Sequence, residues 1–274
     1  MSAADGPRRA AAPCGALACD LDGTLLSPDG AMAPEVARLL AEAAKRFPVC
    51  ILTGRMEPSA EPFWRRAGLA TPLGSYNGAK LGIPGQAPIY EAHVDPAVAR
   101  RLDVLALSRG WHINYYVRDR VLVRGDDARV RRYAERFGVG YTVADEQTIY
   151  TRPAFTKILY IVEASELSAA LAEAKAACPP GGAHLTTSSD IFVEALPMGC
   201  DKGGALRHLA RWSGVPPERW VAVGDQVNDA EMLQAAGMGV AVEDGHPDLK
   251  AAADWVCPPL WRGGLRTLLD RFFA

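Results

Sequence analysis

The stretch Leu17-Ala18-Cys19-Asp20-Leu21-Asp22-Gly23-Thr24-Leu25-Leu26 constrains this chain more than any other. An apolar, strand-like run ends on two aspartates one residue apart, and Gly-Thr follows at once. Two such carboxylates repel by roughly 3 kcal/mol at ~5 Å and an effective dielectric of about 20. A divalent cation reverses the sign of that interaction. Asp20 and Asp22 therefore read as a metal-assisted reaction centre whose remaining parts must come from elsewhere in the chain.

Taken in order, residues 16–20 form the first strand. Residues 34–47 read as a helix, with Pro34 suited to its first position and Val36, Leu39, Leu40, Ala43, Ala44 and Phe47 on one face. Val49 to Leu52 is continuously apolar, as in a strand covered on both faces, and stops at Thr53-Gly54-Arg55. A short helix near 60–67 precedes a weak strand, Pro72 to Tyr76, which ends in Asn77-Gly78-Ala79. This alternation predicts a βαβαβ unit with a parallel sheet.

From about residue 80 the rhythm changes. Helices are expected over 96–109, 126–137 and 165–177. Strands are expected over 111–117, 120–124, 157–162, 184–188 and 191–195. Together these describe an α+β insert of roughly 110 residues, a common domain size. The parallel rhythm returns after Pro197. A helix over 202–213 is capped by Asp201, and the strand 220–223 runs into Gly224-Asp225. A helix over 228–236, strands at 239–242 and 255–257 and a closing helix over 262–272 complete an α/β, doubly wound parallel sheet. Ligands bind such sheets beyond the carboxyl ends of the strands. Asp20, Thr53 and Asp225 fall at those ends, and Lys202 starts the helix entering the second half.

Composition narrows the function. The chain is 49% hydrophobic and 23% charged, the balance of an ordinary soluble globular protein. A net charge of -2 supplies no basic field, so neither nucleic acid nor a membrane surface is expected as a partner. The arginines of Arg8-Arg9, Arg65-Arg66 and Arg129 to Arg136 are local, and the last group reads as a solvated helix face. The six cysteines show no C-x-x-C pairing and no zinc-type spacing. Reduced, buried thiols fit them, and these point to the cytoplasm. No run reaches the ~18 apolar residues of a membrane span. Residues 1–13 are expected to be a short disordered lead-in.

Phosphate-ester chemistry accounts for the polar residues at the strand ends. It needs a nucleophile, a proton donor for the leaving oxygen and cations around the transferring group. Asp20 can attack phosphorus and give an acyl phosphate. Asp22 can protonate the leaving group and later act as base toward water. Thr53 and the Gly54 amide can donate to phosphate oxygens, Lys202 adds a fixed positive charge, and Asp225 completes an oxygen-only site suited to Mg²⁺. Each feature alone has an ordinary reading as a surface turn, a solvated lysine or a helix cap. Four separate signals in consistent order at the sheet ends make coincidence the weaker explanation.

Together, Asp20-Leu21-Asp22-Gly23-Thr24-Leu25-Leu26, Thr53-Gly54-Arg55, Asn77-Gly78-Ala79, Asp201-Lys202-Gly203 and Gly224-Asp225-Gln226-Val227-Asn228-Asp229 resemble the haloacid dehalogenase (HAD) superfamily. The likeness is to its Cof-like hydrolases with a type IIB cap, and it covers nearly the whole chain from about residue 16. It implies a Rossmann-like core (residues 14–80 and 197–274) and an α+β cap domain (81–196). It also implies Mg²⁺-dependent hydrolysis of small phosphate monoesters, sugar phosphates or similar metabolites, through an aspartyl-phosphate. Carried over by motif, Asp20 resembles the nucleophile and Asp22 the acid/base. Thr53, Gly54, Lys202 and Asn228 resemble phosphate-binding residues. Asp20, the Asp22 carbonyl and Asp225 resemble the metal ligands, and Asp229 a supporting residue. Two departures stand out: Glu243-Asp244-Gly245 where Asn-Ala is frequent, and Gln226 where a small hydroxyl residue is frequent.

Arg55 and Asn77 are candidate substrate contacts. His112, Asn114, Arg118, Arg124 and Lys157 are weaker candidates, more often ordinary solvated residues, and Trp111, Tyr115 and Tyr116 read as packing. The expected partner is a small phosphorylated metabolite, and the chain a monomer or homodimer. The competing readings are a phosphomutase acting on sugar phosphates and a non-catalytic metabolite-binding regulator.

Overall fold

The computed structural model describes residues 14–151 and 154–273; the lead-in expected over residues 1–13 lies outside them. The chain begins with β1 (Ala16–Cys19), α1 (Pro34–Ala43), β2 (Val49–Ile51), α2 (Glu57–Arg66), β3 (Leu73–Ser75), β4 (Lys80–Gly82) and β5 (Tyr90–Glu91). It continues through α3 (Pro96–Arg109), β6 (His112–Val117), β7 (Arg120–Val123), α4 (Ala128–Phe137), β8 (Tyr141–Val143), α5 (Glu146–Thr151), β9 (Phe155–Ile161), α6 (Leu167–Ala177), β10 (His184–Ser189) and β11 (Phe192–Leu196). It ends with α7 (Lys202–Ser213), β12 (Trp220–Gly224), α8 (Ala230–Ala235), β13 (Met238–Val242), α9 (Pro247–Ala252), β14 (Trp255–Cys257) and α10 (Gly264–Phe272).

Five strands form a parallel sheet in the order β14-β13-β12-β1-β2. Their side chains are apolar on both faces. Leu17, Cys19, Ile51 and Val223 pack against α1 and α10 in one core. Ala18, Cys50, Trp220 and Ala222 pack under α7 and α8 in another. Burial on both faces is why these strands read as unbroken apolar runs. All six cysteines are free, and Cys19, Cys50 and Cys257 are buried in this sheet. No helix among the described residues is long and apolar enough to cross a membrane.

A second sheet has six strands in the order β10-β11-β9-β6-β7-β8, antiparallel except where β7 meets β8. One face, with Ile113, Tyr115, Ile158, Tyr160 and Val193, packs against α3 and α6. The alternate residues Tyr116, Leu159, Phe192 and Leu196 face α4 and meet Met56 and Tyr76 from the other half of the molecule. The period of two puts Lys157 and Glu194 on this second face as well.

Three local expectations change. The helix from Pro34 closes at Ala43 instead of 47, and the chain passes through a turn over 44–46 before Pro48. The strand expected over 72–76 is not a full member of the parallel sheet. It touches β2 through a single parallel bridge, Leu52 to Gly74, and pairs antiparallel with β4, which pairs with β5. The elements β8, α5 and α9 were not expected, since three to six residues are too few to show a period.

Candidate active site

Asp20 follows β1 directly and is 4% exposed. Lys202, the first residue of α7, is 1% exposed and donates to Asp20 Oδ1 and Asp229 Oδ1, each at 2.5 Å. The other oxygen of Asp229 accepts the backbone N–H groups of Asp225 (2.9 Å) and Gln226 (3.0 Å). Both Asp229 oxygens are thus committed. Asp225 follows β12 and accepts from Thr24 Oγ1 at 3.1 Å and Gln226 Nε2 at 3.2 Å. Asp20, Asp225 and Asp229 are buried, and each brings a carboxylate oxygen within 4.8 Å of the others. The turn that permits this needs Gly23. Its φ is +80°, and a Cβ there would lie 2.3 Å from Asp225 Oδ2.

Three buried carboxylates face one ammonium, and the imbalance shows in their titration. Burial pushes Asp20 well above the usual carboxylate range, opposed by Lys202 and reinforced by Asp229, Asp225 and Asp22. Burial, then the charge of Asp229, raises Asp225 to about 7, opposed by Lys202. Burial disfavours the Lys202 ammonium, but Asp20 and Asp229 outweigh it and hold its pKa above the ordinary value. A set of oxygen donors with excess negative charge fits a hard divalent cation. Asp20 Oδ2 accepts from no protein donor among the described residues, and each Asp225 oxygen accepts one neutral side-chain donor, whereas Asp229 takes an ammonium and two amides. The Asp22 side chain lies outside this cluster; the resemblance assigned its backbone carbonyl, not its carboxylate, to the metal.

The Asp22 carboxylate is half exposed and held bidentately by Arg55, with Nε at 2.7 Å and an Nη at 2.5 Å. Thr53 is buried at the end of β2, and its Oγ1 accepts the Arg55 backbone N–H at 3.1 Å. Asp20, Asp22, Thr53, Gly54, Lys202 and Asn228 share one cleft with Arg55 and Gln226. Asp225 and Asp229 are not among the residues that line it. The cavity holds about 100 Å³, room for a small polar group and not for an extended ligand.

The opposite wall comes from the inserted sheet and α4: Tyr133, Arg136, Phe137, Lys157, Ser188 and Glu194 among others. Of the weaker candidates only Lys157 reaches the cleft. Buried His112 bonds Asp127 and Asn114, Arg124 pairs with Asp103, and Arg118 is exposed on the turn between β6 and β7. Trp111, Tyr115 and Tyr116 are buried in packing. Asn77 is 2% exposed and stands behind the wall, accepting from Asn228 Nδ2 (3.1 Å) and donating to Glu194 Oε2 (2.9 Å). Glu243 and Asp244 are exposed and take no part in the cleft.

Glu194 escaped the sequence reading. It is 2% exposed and accepts from Lys157 Nζ (3.2 Å), Ser188 Oγ (2.7 Å) and Asn77, while Lys157 also donates to the Gly54 carbonyl at 2.9 Å. The signal was a single carboxylate inside the apolar strand Phe192-Val193-Glu194-Ala195-Leu196.

A sequence model of the haloacid dehalogenase-like hydrolases matches residues 17–267, and the chain belongs to that family. A chloroplastic endoribonuclease YBEY of Arabidopsis thaliana is 25% identical over 248 residues; the match takes in 86% of this chain but only 42% of that protein. The HMP-PP phosphatase of Serratia proteamaculans is 27% identical, covering 85% of each chain. The pyridoxal phosphate phosphatase of Escherichia coli is 28% identical, covering 88% of this chain and 92% of that one. In fold, the chain is similar to a haloacid dehalogenase-like hydrolase from Bacteroides thetaiotaomicron, with a TM-score of 0.84, 23% identity, and 95% and 100% of the two chains covered.

Proposed function

We propose that this protein is a Mg²⁺-dependent phosphatase that hydrolyses small organic phosphate monoesters through a phosphoryl-Asp20 intermediate. The observation that carries the proposal is Asp20 itself: a buried carboxylate at a strand end, fixed by a buried lysine beside the buried Asp225 carboxylate, and opening on a small cleft. The two bacterial relatives named above as phosphatases of small phosphorylated compounds support the same substrate class.

In the first step an Asp20 oxygen attacks phosphorus, the bond to the leaving oxygen breaks, and Asp22 delivers a proton to that oxygen. In the second step Asp22 takes a proton from water, the water oxygen attacks phosphorus, and Asp20 is released as a carboxylate with inorganic phosphate. Lys202 and the Thr53–Gly54 turn orient the phosphoryl oxygens, with Asn228 beside them. Arg55 occupies both Asp22 oxygens, so substrate binding exchanges one of those bonds for the leaving group. Asp20 and Asp225, with the Asp22 backbone carbonyl, would hold the ion, which when bound offsets the negative charge of phosphate and carboxylates. Residues 81–196 act as a cap that excludes water and contacts the leaving group. Six free thiols support a reducing compartment, the cytoplasm.

The test is a panel of phosphorylated metabolites assayed for phosphate release with Mg²⁺ and with a chelator. Mg²⁺-dependent release from several small esters, reduced at least about a thousandfold by Asp20→Asn, is expected. Retention of most activity by Asp20→Asn excludes the mechanism.

A further inference from the structure

Helix α4 lies across the cleft mouth and carries Arg129, Arg132 and Arg136, spaced three and four apart and so on one face. Their partners differ. Arg129 is tied to Asp127 and the Gly110 carbonyl, and Arg131, off this face, pairs with Asp126. Arg132 and Arg136 are exposed and have no carboxylate partner among the described residues.

Arg136 lines two spaces at once. One is the reaction cleft. The other is a neighbouring cavity of about 290 Å³ that it lines with Arg132, and Tyr133 and Phe192 also border both. The rest of that second wall is Ile161, Val162 and Ile191, with Arg129, already tied to Asp127, and Glu163, its one carboxylate. The ring of Phe137 lines the reaction cleft and reaches two guanidinium groups. Its centroid is 5.5 Å from the Arg55 guanidinium carbon, which holds Asp22, and 5.2 Å from that of Arg136. The Arg136 guanidinium therefore stands one aromatic ring away from Arg55, which holds Asp22.

We infer that Arg132 and Arg136 form a subsite for a second anionic group on the leaving-group portion of the substrate. The preferred esters carry a carboxylate or second phosphate remote from the scissile phosphate, joined by a short skeleton that runs over Phe192. Guanidinium is suited to this because it bonds carboxylate and phosphate bidentately and is weakly hydrated. A neutral leaving group would leave Glu163 as the one carboxylate facing these charges in that wall. This inference rests on the phosphatase reading and deepens it.

Matched pairs of esters test it: 6-phosphogluconate against glucose 6-phosphate for the carboxylate, and fructose 1,6-bisphosphate against fructose 6-phosphate for the phosphate. The wild-type enzyme is expected to favour the doubly anionic member of at least one pair by about tenfold or more in kcat/KM, and the pair that shows it identifies the group. Arg132→Gln with Arg136→Gln is expected to erase that ratio through KM. The corresponding double lysine variant should keep part of it, and Arg131→Gln on the same helix should keep all of it. A wild-type ratio near one for both pairs, or a ratio the double glutamine variant leaves intact, overturns the subsite. Turnover of 4-nitrophenyl phosphate, lost in Asp20→Asn, is measured in parallel. Its absence from the wild type defeats the phosphatase reading, whereas its presence with no preference in either pair defeats only the subsite.

Discussion

Gly23 meets two requirements that no other residue meets together, a φ of +80° and space for Asp225 Oδ2. Left-handed backbone costs an L side chain about 1–2 kcal/mol, and here the added methyl also displaces the Asp225 carboxylate of the proposed cation site. Gly23→Ala is expected to lower the unfolding temperature and to raise the Mg²⁺ concentration needed for half-maximal phosphate release by at least about tenfold. Calorimetry and a Mg²⁺ titration check the two effects. Asp127 gives a cleaner structural test. It caps α4, accepting the N–H groups of Arg129 (2.8 Å) and Val130 (3.1 Å), and Asp127→Ala should destabilise the fold by about 1 kcal/mol. Burial raises this carboxyl, but the Val130 amide, Arg129 and His112 prevail and bring it down to about 2. A folded pKa below the unfolded one contributes stability that is present above the ordinary carboxyl range and is lost as pH falls toward 2. Urea midpoints at pH 5 and pH 2.5 should diverge less in Asp127→Asn than in the wild type; an equal divergence removes Asp127 from the explanation. At this scale Asp20 and Asp225 were legible because each is a charge at the end of an apolar run, and Lys202 because it opens a helix just after the capping Asp201. Glu194 was not, because two of its partners, Lys157 and Asn77, are 37 and 117 positions away.

Among the elements, β9 and β11 carry the most consequential contact. Lys157 and Glu194, each 2% exposed, join the inserted sheet to Gly54 and Asn77 beside the reaction centre. Removing one partner of a buried pair strands the other charge, which costs about 3–5 kcal/mol. Lys157→Met is expected to lose stability on that scale, and Lys157→Met with Glu194→Met to recover most of it. Denaturant unfolding of the three proteins distinguishes this from a surface pair, for which neither change matters much. The parallel strands and the longer helices were readable from sequence, since double-sided burial and a helical stripe leave strong patterns. The sheet of β3, β4 and β5 was not. Its strands are two or three residues long and set among Gly82, Pro84, Gly85 and Pro88, so what holds it is partner choice and not periodicity.

For the whole molecule, sequence order alone implied that distant strand ends converge, because a doubly wound sheet brings its carboxyl ends to one side. The cleft's second wall was less legible, as it depends on how the inserted sheet docks. That arrangement leaves Asp20 and Asp225 buried with too little positive charge. Mg²⁺ at a hundred times its dissociation constant should therefore stabilise the fold by about 2.7 kcal/mol, or roughly 5–10 °C for a chain of this size. A chelator should reverse the shift and Asp225→Ala abolish it; a shift that survives Asp225→Ala puts the ion elsewhere. The most direct measurement is to quench the enzyme with acid during turnover of a small phosphate monoester and locate the phosphoryl group by peptide mass analysis. A phosphoryl group on the peptide bearing Asp20, absent with chelator and in Asp20→Asn, is the expected result. Phosphate release at the wild-type rate by Asp20→Asn, or a phosphoryl group trapped on a different residue, contradicts it.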